Sequence, residues 1–282
     1  VPRGAITVVP GGGLCNRMVT LDSALALGRV LDRPVHVLWK LGRALNCRFH
    51  RLFEPLPGVA RVSHVHNNQM LGMFSLRLRQ KLADLRGADT WWRDEIYGLR
   101  QDPTALLERA RRSRELRIRA DTRFFADGPL FAGFRPAPAL AARIASAAHD
   151  LSDAVGVHVR RTDHADAIRL SPLTAFVEAL HDELRRAPGT RIFASTDDPE
   201  VLRVLRAEFG DALRHNPPTA FDRLDPRAIE NAVVDLWCLA SCRLLFGSHG
   251  STFSKTAWQL KGIPHRIVGA GPEEGQCVAS SP

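Results

Sequence analysis

Four short apolar runs in the second half of the chain, "AVGVHV", "RIFAS", "RLLFGS" and "HRIVG", are separated by stretches of helical periodicity. Strands that alternate with helices of this length can pair only through crossovers, which makes a parallel sheet covered by helices on both faces. The intervening helices read as "SPLTAFVEALHDELRR" with Ser171 as its cap, "DDPEVLRVLRAEFG" closed by Gly210, "AIENAVVDLWCLASC", and "STFSKTAWQLKG" ending on Gly262, with "PALAARIASAAHDL" ahead of the first strand. The first half opens the same way. "AITVV" is a strand, "PGGG" a turn, "LCNRMVTLDSALALGRVLDR" a helix and "PVHVLW" a strand, one βαβ unit. Between residues 43 and 133, "FSLRLRQKLADLRG" is amphipathic, "DPTALLERARRSREL" helical and "LRIRA" a strand, in an order that pattern alone does not specify. The Gly- and Pro-rich stretch "GPLFAGFRPAPAL" marks a break. Two α/β domains are expected, residues 1–135 and 136–282.

The 282 residues, 45% hydrophobic and 24% charged, suffice for two such cores. No apolar run is long enough for a membrane span, and the opening "VPRGAITVVPGGG" lacks the basic-then-apolar layout of a secretory leader. Cys15, Cys47, Cys238, Cys242 and Cys277 are odd in number and lack paired metal spacing. Cys238 and Cys242 lie four apart in a helical pattern and read as small buried hydrophobes. Reduced thiols and a cytoplasmic setting are expected. The formal charge is +9, and of 39 basic residues only four are lysine. Arginine grips phosphate bidentately, so a phosphorylated ligand is a plausible partner. With 7% aromatic residues and no basic tail, nucleic acid is not expected.

In parallel sheets, ligands bind beyond the carboxyl ends of the strands, and the unusual residues of this chain collect there. "VGVHV" runs into Arg160 and Arg161, "RIFAS" into Thr196, Asp197 and Asp198, and "RLLFG" into "SHGSTFS", where Ser248, Gly250, Ser251 and Thr252 open a helix. A hydroxyl-rich helix start offers free N–H groups and a positive dipole end, which suits phosphate. "PGGGLCN" offers a second such turn, with Gly11, Gly12 and Gly13 permitting close backbone approach and Asn16 beside them. Each feature has a plainer reading: an ordinary βα turn, a helix cap at Ser251, a solvated arginine pair. Taken together they favour a diphosphate held between Arg160 and the helix starting at Ser251.

The stretches "GVHVRRTDH", "ASTDDPEVL" and "DLWCLASCRLLFGSHGSTFSKTAW" resemble the α1,6-fucosyltransferase and protein O-fucosyltransferase superfamily, nodulation fucosyltransferases among them. "GGGLCNRM" and "FHRLFEPL" are similar to that group's first turn and to a segment after its second strand. The resemblance runs from about Val155 to Leu260 and, in patches, from Gly11 to about Glu54. It implies a GT-B fold, two Rossmann-like domains with a cleft between them, the first on the acceptor side and the second holding a GDP-sugar. Matched by motif, Arg160 would hold the β-phosphate, with Arg161 and Asp197 beside it, and His158 would contact the nucleotide. Asp235, sixteen residues before Ser251, would accept hydrogen bonds from guanine, whose N1–H and N2 amino group are adjacent donors; without the family it reads as a helix-surface acid. Gly12, Gly13, Asn16, Ser248, Ser251, Thr252 and Ser254 would complete the donor contacts, with Phe253 packing.

The implied reaction is an inverting transfer of fucose from GDP-fucose to a hydroxyl of a glycan or glycoconjugate. Arg160 and the helix start would stabilise the departing diphosphate in place of a divalent metal, so neither metal nor other cofactor is expected. The sequence departs from its relatives at two points: Cys15 replaces a glycine common in the first turn, and the α1,6 enzymes carry a Glu ten residues after the motif His, where this chain has Ile168. Asp166 and His164 are the nearby substitutes for a general base, Asp166 reading equally as a surface acid, and Asp163 is placed to brace the arginines. A transferase using another nucleotide sugar, and a GDP- or glycan-binding module without turnover, are the alternatives. For the acceptor, "NNQMLGMF" and "DTWWRDEIYG" offer aromatic and amide groups that could meet sugar rings, although buried aromatics are the commoner explanation.

Overall fold

The computed structural model describes residues 4–66, 70–162, 165–217 and 221–269, without the side chains of 70–73. The chain divides into two compact units, Val1–Ala137 with Asp222–Glu230, and Pro138–Phe221 with Asn231–Pro282. The break at 137/138 falls in the Gly- and Pro-rich stretch, two residues beyond the expected 135/136. The return of residues 222–230 to the first unit has no counterpart in the expected linear division.

The first unit runs β1 (Ile6–Pro10), α1 (Leu14–Leu31), β2 (Val35–Leu41), α2 (Phe49–Leu52), β3 (Val59–His66), α3 (Met70–Leu85), β4 (Asp89–Trp91), α4 (Arg93–Leu99), α5 (Pro103–Arg112) and β5 (Leu116–Ala120). Its sheet is wholly parallel in the order β3-β2-β1-β5-β4. Ile6 and Val8 of β1, Val35 and Val37 of β2, and Leu116 and Ile118 of β5 are buried. Helix α1 is apolar on almost every side and buried along most of its length, so it lies inside the unit rather than on it. Helix α5 is capped by Asp102, whose side chain accepts from the N–H groups of Thr104 and Ala105, with Pro103 at the first helical position.

The second unit runs α6 (Pro138–Ala148), β6 (Val155–Val159), α7 (Ala165–Leu170), α8 (Leu173–Arg186), β7 (Ile192–Thr196), α9 (Pro199–Phe209), β8 (Leu213–Arg214), α10 (Pro226–Leu239), β9 (Leu244–Gly247), α11 (Thr252–Lys261) and β10 (His265–Ile267). Helix α10 starts on the segment assigned to the first unit. The sheet order is β10-β9-β6-β7-β8, again all parallel. Counted within the unit, this is the doubly wound order 3-2-1-4-5, with the winding reversing between β6 and β9. Val155, Val157, Val159, Ile192, Ala194 and Phe246 of the sheet pack with Phe176 and Leu180 of α8 and Val201 and Leu205 of α9. Burying each of the large side chains among them stabilises by about 1.5–3 kcal/mol, which is what holds the carboxyl ends of β6, β7 and β9 in one place. Ser171 does not cap α8. Pro172 occupies the cap position, while the Ser171 hydroxyl donates to the Val268 carbonyl (2.6 Å) and accepts from the His249 N–H (2.9 Å).

Candidate functional site

The winding of the second sheet reverses where β6 meets β9, and the crevice beyond such a reversal is where ligands bind in open α/β sheets. Arg160, just past β6, donates its backbone N–H to the Ser248 hydroxyl (2.9 Å) at the end of β9. Ser248 is buried and its hydroxyl also lies 3.3 Å from the His158 carbonyl, so one side chain ties the two strand ends together. The hydroxyl of Ser251 caps α11 by accepting from the Ser254 N–H (3.4 Å), and Thr252 and Phe253 form its first turn, half-buried.

His158 lies beneath that turn at 4% exposure. Its Nδ1 is hydrogen-bonded to the Ser254 hydroxyl (2.8 Å), with the Ser251 hydroxyl at 3.4 Å, and its ring stacks on Phe253 at 4.7 Å between centroids. Burial pushes its pKa down to about 3, against Asp197, which favours the charged form, and with Arg160 and His265 adding to the depression. The imidazole is therefore neutral at physiological pH. With Nδ1 committed, only Nε2 is left for a ligand, and the main work of His158 is to position the start of α11. Gly247 makes this approach possible: a Cβ there would sit 2.5 Å from His265 Nε2 and 2.6 Å from Ser254 Cβ.

On the other flank of β6, Asp197 follows β7. Its carboxylate accepts from the Arg161 N–H (2.8 Å) and the Thr162 hydroxyl (2.7 Å) and lies 3.3 Å from Arg160 Nε. Burial alone would raise its pKa, but these donors and the Arg160 guanidinium hold it below the ordinary carboxylate value. Asp197 is thus ionised and steers the Arg160 guanidinium. The guanidinium of Arg161 is turned elsewhere, donating to the carbonyls of Ser171 (2.9 Å) and Ile168 (3.4 Å), so it braces the end of α7.

Asp235 of α10 reaches the same region through Ser195, which pairs in register with His158. Its Oδ2 accepts from the Ser195 hydroxyl (3.0 Å) and its Oδ1 from the Asn216 amide (2.6 Å). Part of the residue remains accessible, yet burial of the carboxylate pushes its pKa up to about 6, with Asn216 and Ser195 opposing the rise. Each oxygen keeps a second lone pair for an incoming donor. Ser195 and Asn216 carry no signal in the sequence: the first is one alternation of an apolar strand and the second stands alone beside two prolines in "HNPP".

Asp166 stands apart from this cluster. It lies in the first turn of α7 with its side chain 63% exposed, accepting from Arg169 (3.1 Å), and Ile168 is exposed on the same helix. Asp163 and His164 lie outside the described residues.

In the first unit, Gly12 takes φ +68°, where a side chain would be strained, and its carbonyl accepts from Arg17 Nε (2.9 Å). Arg17 was not singled out by pattern, because a cation inside an apolar helix reads as a surface residue. It is buried, also donates to the Lys40 carbonyl (2.6 Å) and lies over the Trp39 ring, and burial lowers its pKa to about 10. Asn16 donates to the Asp121 carbonyl (2.8 Å), while Gly13 precedes α1 without a side-chain cap. Of the aromatics in "DTWWRDEIYG", Trp91 is core, whereas Trp92 and Tyr97 are exposed beneath Arg119 and Arg100. "NNQMLGMF" falls mostly outside the described side chains. Cys15, Cys47, Cys238 and Cys242 are buried, and burial pushes Cys47, Cys238 and Cys242 up to about 12. Among the described residues, no helix is long and apolar enough to cross a membrane, and no group of three or more His, Cys, Asp or Glu could hold a metal ion.

No protein-family model matches the sequence, and no curated protein matches it. Solved structures do match in fold. NodZ, an α1,6-fucosyltransferase soaked with GDP-fucose, superposes with a TM-score of 0.61 at 17% identity, over 94% of this chain and 95% of that one. POFUT1 in complex with GDP gives 0.57 at 13%, over 95% and 99%. A mutant of Arabidopsis thaliana FUT1 in complex with GDP gives 0.62 at 13%, over 100% and 75%. The chain shares the two-sheet α/β fold of these structures.

Proposed function

We propose that this chain is a glycosyltransferase that moves fucose from GDP-fucose to a hydroxyl of a glycan or glycoconjugate, with the second unit holding the nucleotide and the first serving the acceptor. The observation that carries the reading is the convergence of Arg160, Ser248 and the Ser251-capped start of α11 at the β6–β9 reversal. A diphosphate over the end of β6 would meet the Arg160 guanidinium from the β7 side, where Asp197 steers it, and the N–H groups of α11 from the β9 side. Asp235 would take guanine through N1–H and the N2 amino group. NodZ and POFUT1, which share the fold, were obtained with GDP-fucose and GDP.

Breaking the sugar–phosphate bond leaves negative charge on GDP and positive character on the ring. Arg160 and the α11 dipole are aimed at the first of these charges and supply what a divalent metal supplies in other transferases. The acceptor oxygen attacks the anomeric carbon from the face opposite GDP, inverting it, and its proton passes to a base, for which Asp166, exposed on α7, is the candidate among the described residues.

The test is calorimetric titration of GDP against UDP and ADP, followed by turnover of GDP-fucose. GDP should bind in preference to the other two, and Arg160→Ala should weaken it about 10- to 100-fold, the worth of a hydrogen bond to a charged group. Absence of GDP affinity, or equal binding by the variant, overturns the assignment of the nucleotide site. GDP binding without turnover overturns the catalytic part.

A further inference from the structure

The face of the first sheet that α3 covers is unlike an ordinary parallel-sheet face. In β5, Leu116 and Ile118 point to one side and Arg117 and Arg119 to the other, by the alternation of a strand. The strand register then sets Arg61 of β3, His36 of β2, Thr7 of β1 and Arg117 of β5 in one row across the sheet. Parallel sheets are normally apolar on both faces, where crossover helices pack. Here the row lines an open-mouthed cavity of about 470 Å³, which Arg79 and Arg86 line from the side of α3.

Arg117 forms the floor of this cavity at 4% exposure. Its Nη1 donates to the Arg79 carbonyl (3.1 Å), while Nε and Nη2 have no hydrogen-bond partner among the described residues. Burial depresses its pKa, with Arg119 and Arg79 adding to the effect and Asp84 and Glu115 opposing it. A buried guanidinium with two unmet donors is costly unless an anion meets them. Against four arginines, the cavity lining offers one carboxylate, Glu115. The volume falls within the range of small-molecule sites and exceeds what a bare phosphate fills.

We propose that this cavity binds a phosphate monoester, its phosphoryl oxygens taken by the Arg117 fork and its charge balanced by Arg61, Arg79 and Arg86. The site belongs to the first unit alone and does not depend on the nucleotide reading of the second. The same headgroup chemistry could arrive on a soluble sugar phosphate or on phosphatidic acid in a membrane, and Leu78 and Leu82 of α3, exposed and lining the cavity, are compatible with either.

The experiment uses the full chain carrying Arg160→Ala, so that anion contacts in the second unit are weakened throughout. Glucose 6-phosphate is titrated calorimetrically with glucose as control, and sedimentation is measured with phosphatidic-acid vesicles against phosphatidylcholine vesicles. Saturable binding is expected in one arm or both, and the responding arm identifies the source. Adding Arg117→Gln should weaken it about 10- to 100-fold. If that variant does not fold, Arg61→Ala with Arg79→Ala, both at exposed positions, should weaken binding at least tenfold. No binding in either arm, or binding that these substitutions leave unchanged, overturns the proposal.

Discussion

Replacing Asp235 with Asn should make the protein more stable at neutral pH while weakening the GDP binding proposed for it. The folded protein holds this carboxyl at about 6, against an ordinary value near 4, so keeping it ionised in place costs at most about 3 kcal/mol. Because the folded state binds the proton more tightly than the unfolded chain, native stability falls as pH rises from about 4 to about 6 and stays reduced above that. Asp235→Asn removes the titration and keeps both neighbours, the amide oxygen accepting from Asn216 and the amide nitrogen donating to the Ser195 hydroxyl. Urea unfolding of the two proteins at several values from about pH 4 to about pH 7.5 isolates the effect, since every other titrating group cancels in the difference. The variant should be more stable by up to about 3 kcal/mol at the upper end, and the two should converge at the lower end. A difference that is constant across this range, or a variant less stable at neutral pH, refutes the reasoning. The same substitution leaves one acceptor where guanine needs two, so GDP affinity should fall about tenfold or more, and wild-type affinity should decline below about pH 6 as Asp235 takes up its proton.

Three further outcomes follow from contacts around the strand ends. Gly247→Ala puts a methyl 2.5 Å from His265 Nε2 and 2.6 Å from Ser254 Cβ, so the melting temperature should drop by the equivalent of about 1–3 kcal/mol; an unshifted melt would show that α11 is free to move. Ser254→Ala removes the 2.8 Å partner of His158 Nδ1 and should destabilise by about 1–3 kcal/mol, with unaltered urea unfolding as the contrary result. Arg161→Met loses the bonds to the Ser171 and Ile168 carbonyls, so stability should fall by about 1–3 kcal/mol with less effect on GDP binding than Arg160→Ala; the opposite ranking by titration would place Arg161 on the ligand.

Strands β6, β7 and β9 are legible in the sequence because each is a dense apolar run buried on both faces, and their ends stand out because the next residues are Arg, Asp and Ser. Edge elements are not. The strand β3, "VARVSHVH", is half-exposed and interrupted by polar residues, while β4 and β8 have three and two residues and almost no periodicity to read. Helix α7 has six residues and a single buried one, Ala167, too little for a helical stripe. At the site, Arg160, Asp197 and Ser251 stand out by their positions alone, but the division of labour between the two arginines does not: which guanidinium turns to Asp197 and which to Ser171 depends on where α7 ends. Ser171, expected as a cap, is drawn away by the Val268 carbonyl, a partner 97 positions distant. Contacts of that span leave no local pattern.

The stretch Asp222–Glu230 has a consequence for any attempt to take the protein apart. Its residues are bonded to the first unit, Asn46 donating to the Leu224 carbonyl and Arg51 pairing with Glu230, although chain belonging to the second unit precedes and follows it. The polypeptide therefore leaves the first unit, comes back and leaves again, and no single cut yields two whole pieces. A fragment ending at Ala137 would lack nine of its own residues, and one beginning at Pro138 would carry them without their anchors. Gene fusions or exchanges that treat the halves as beads on a string should graft this segment along with the amino-terminal part.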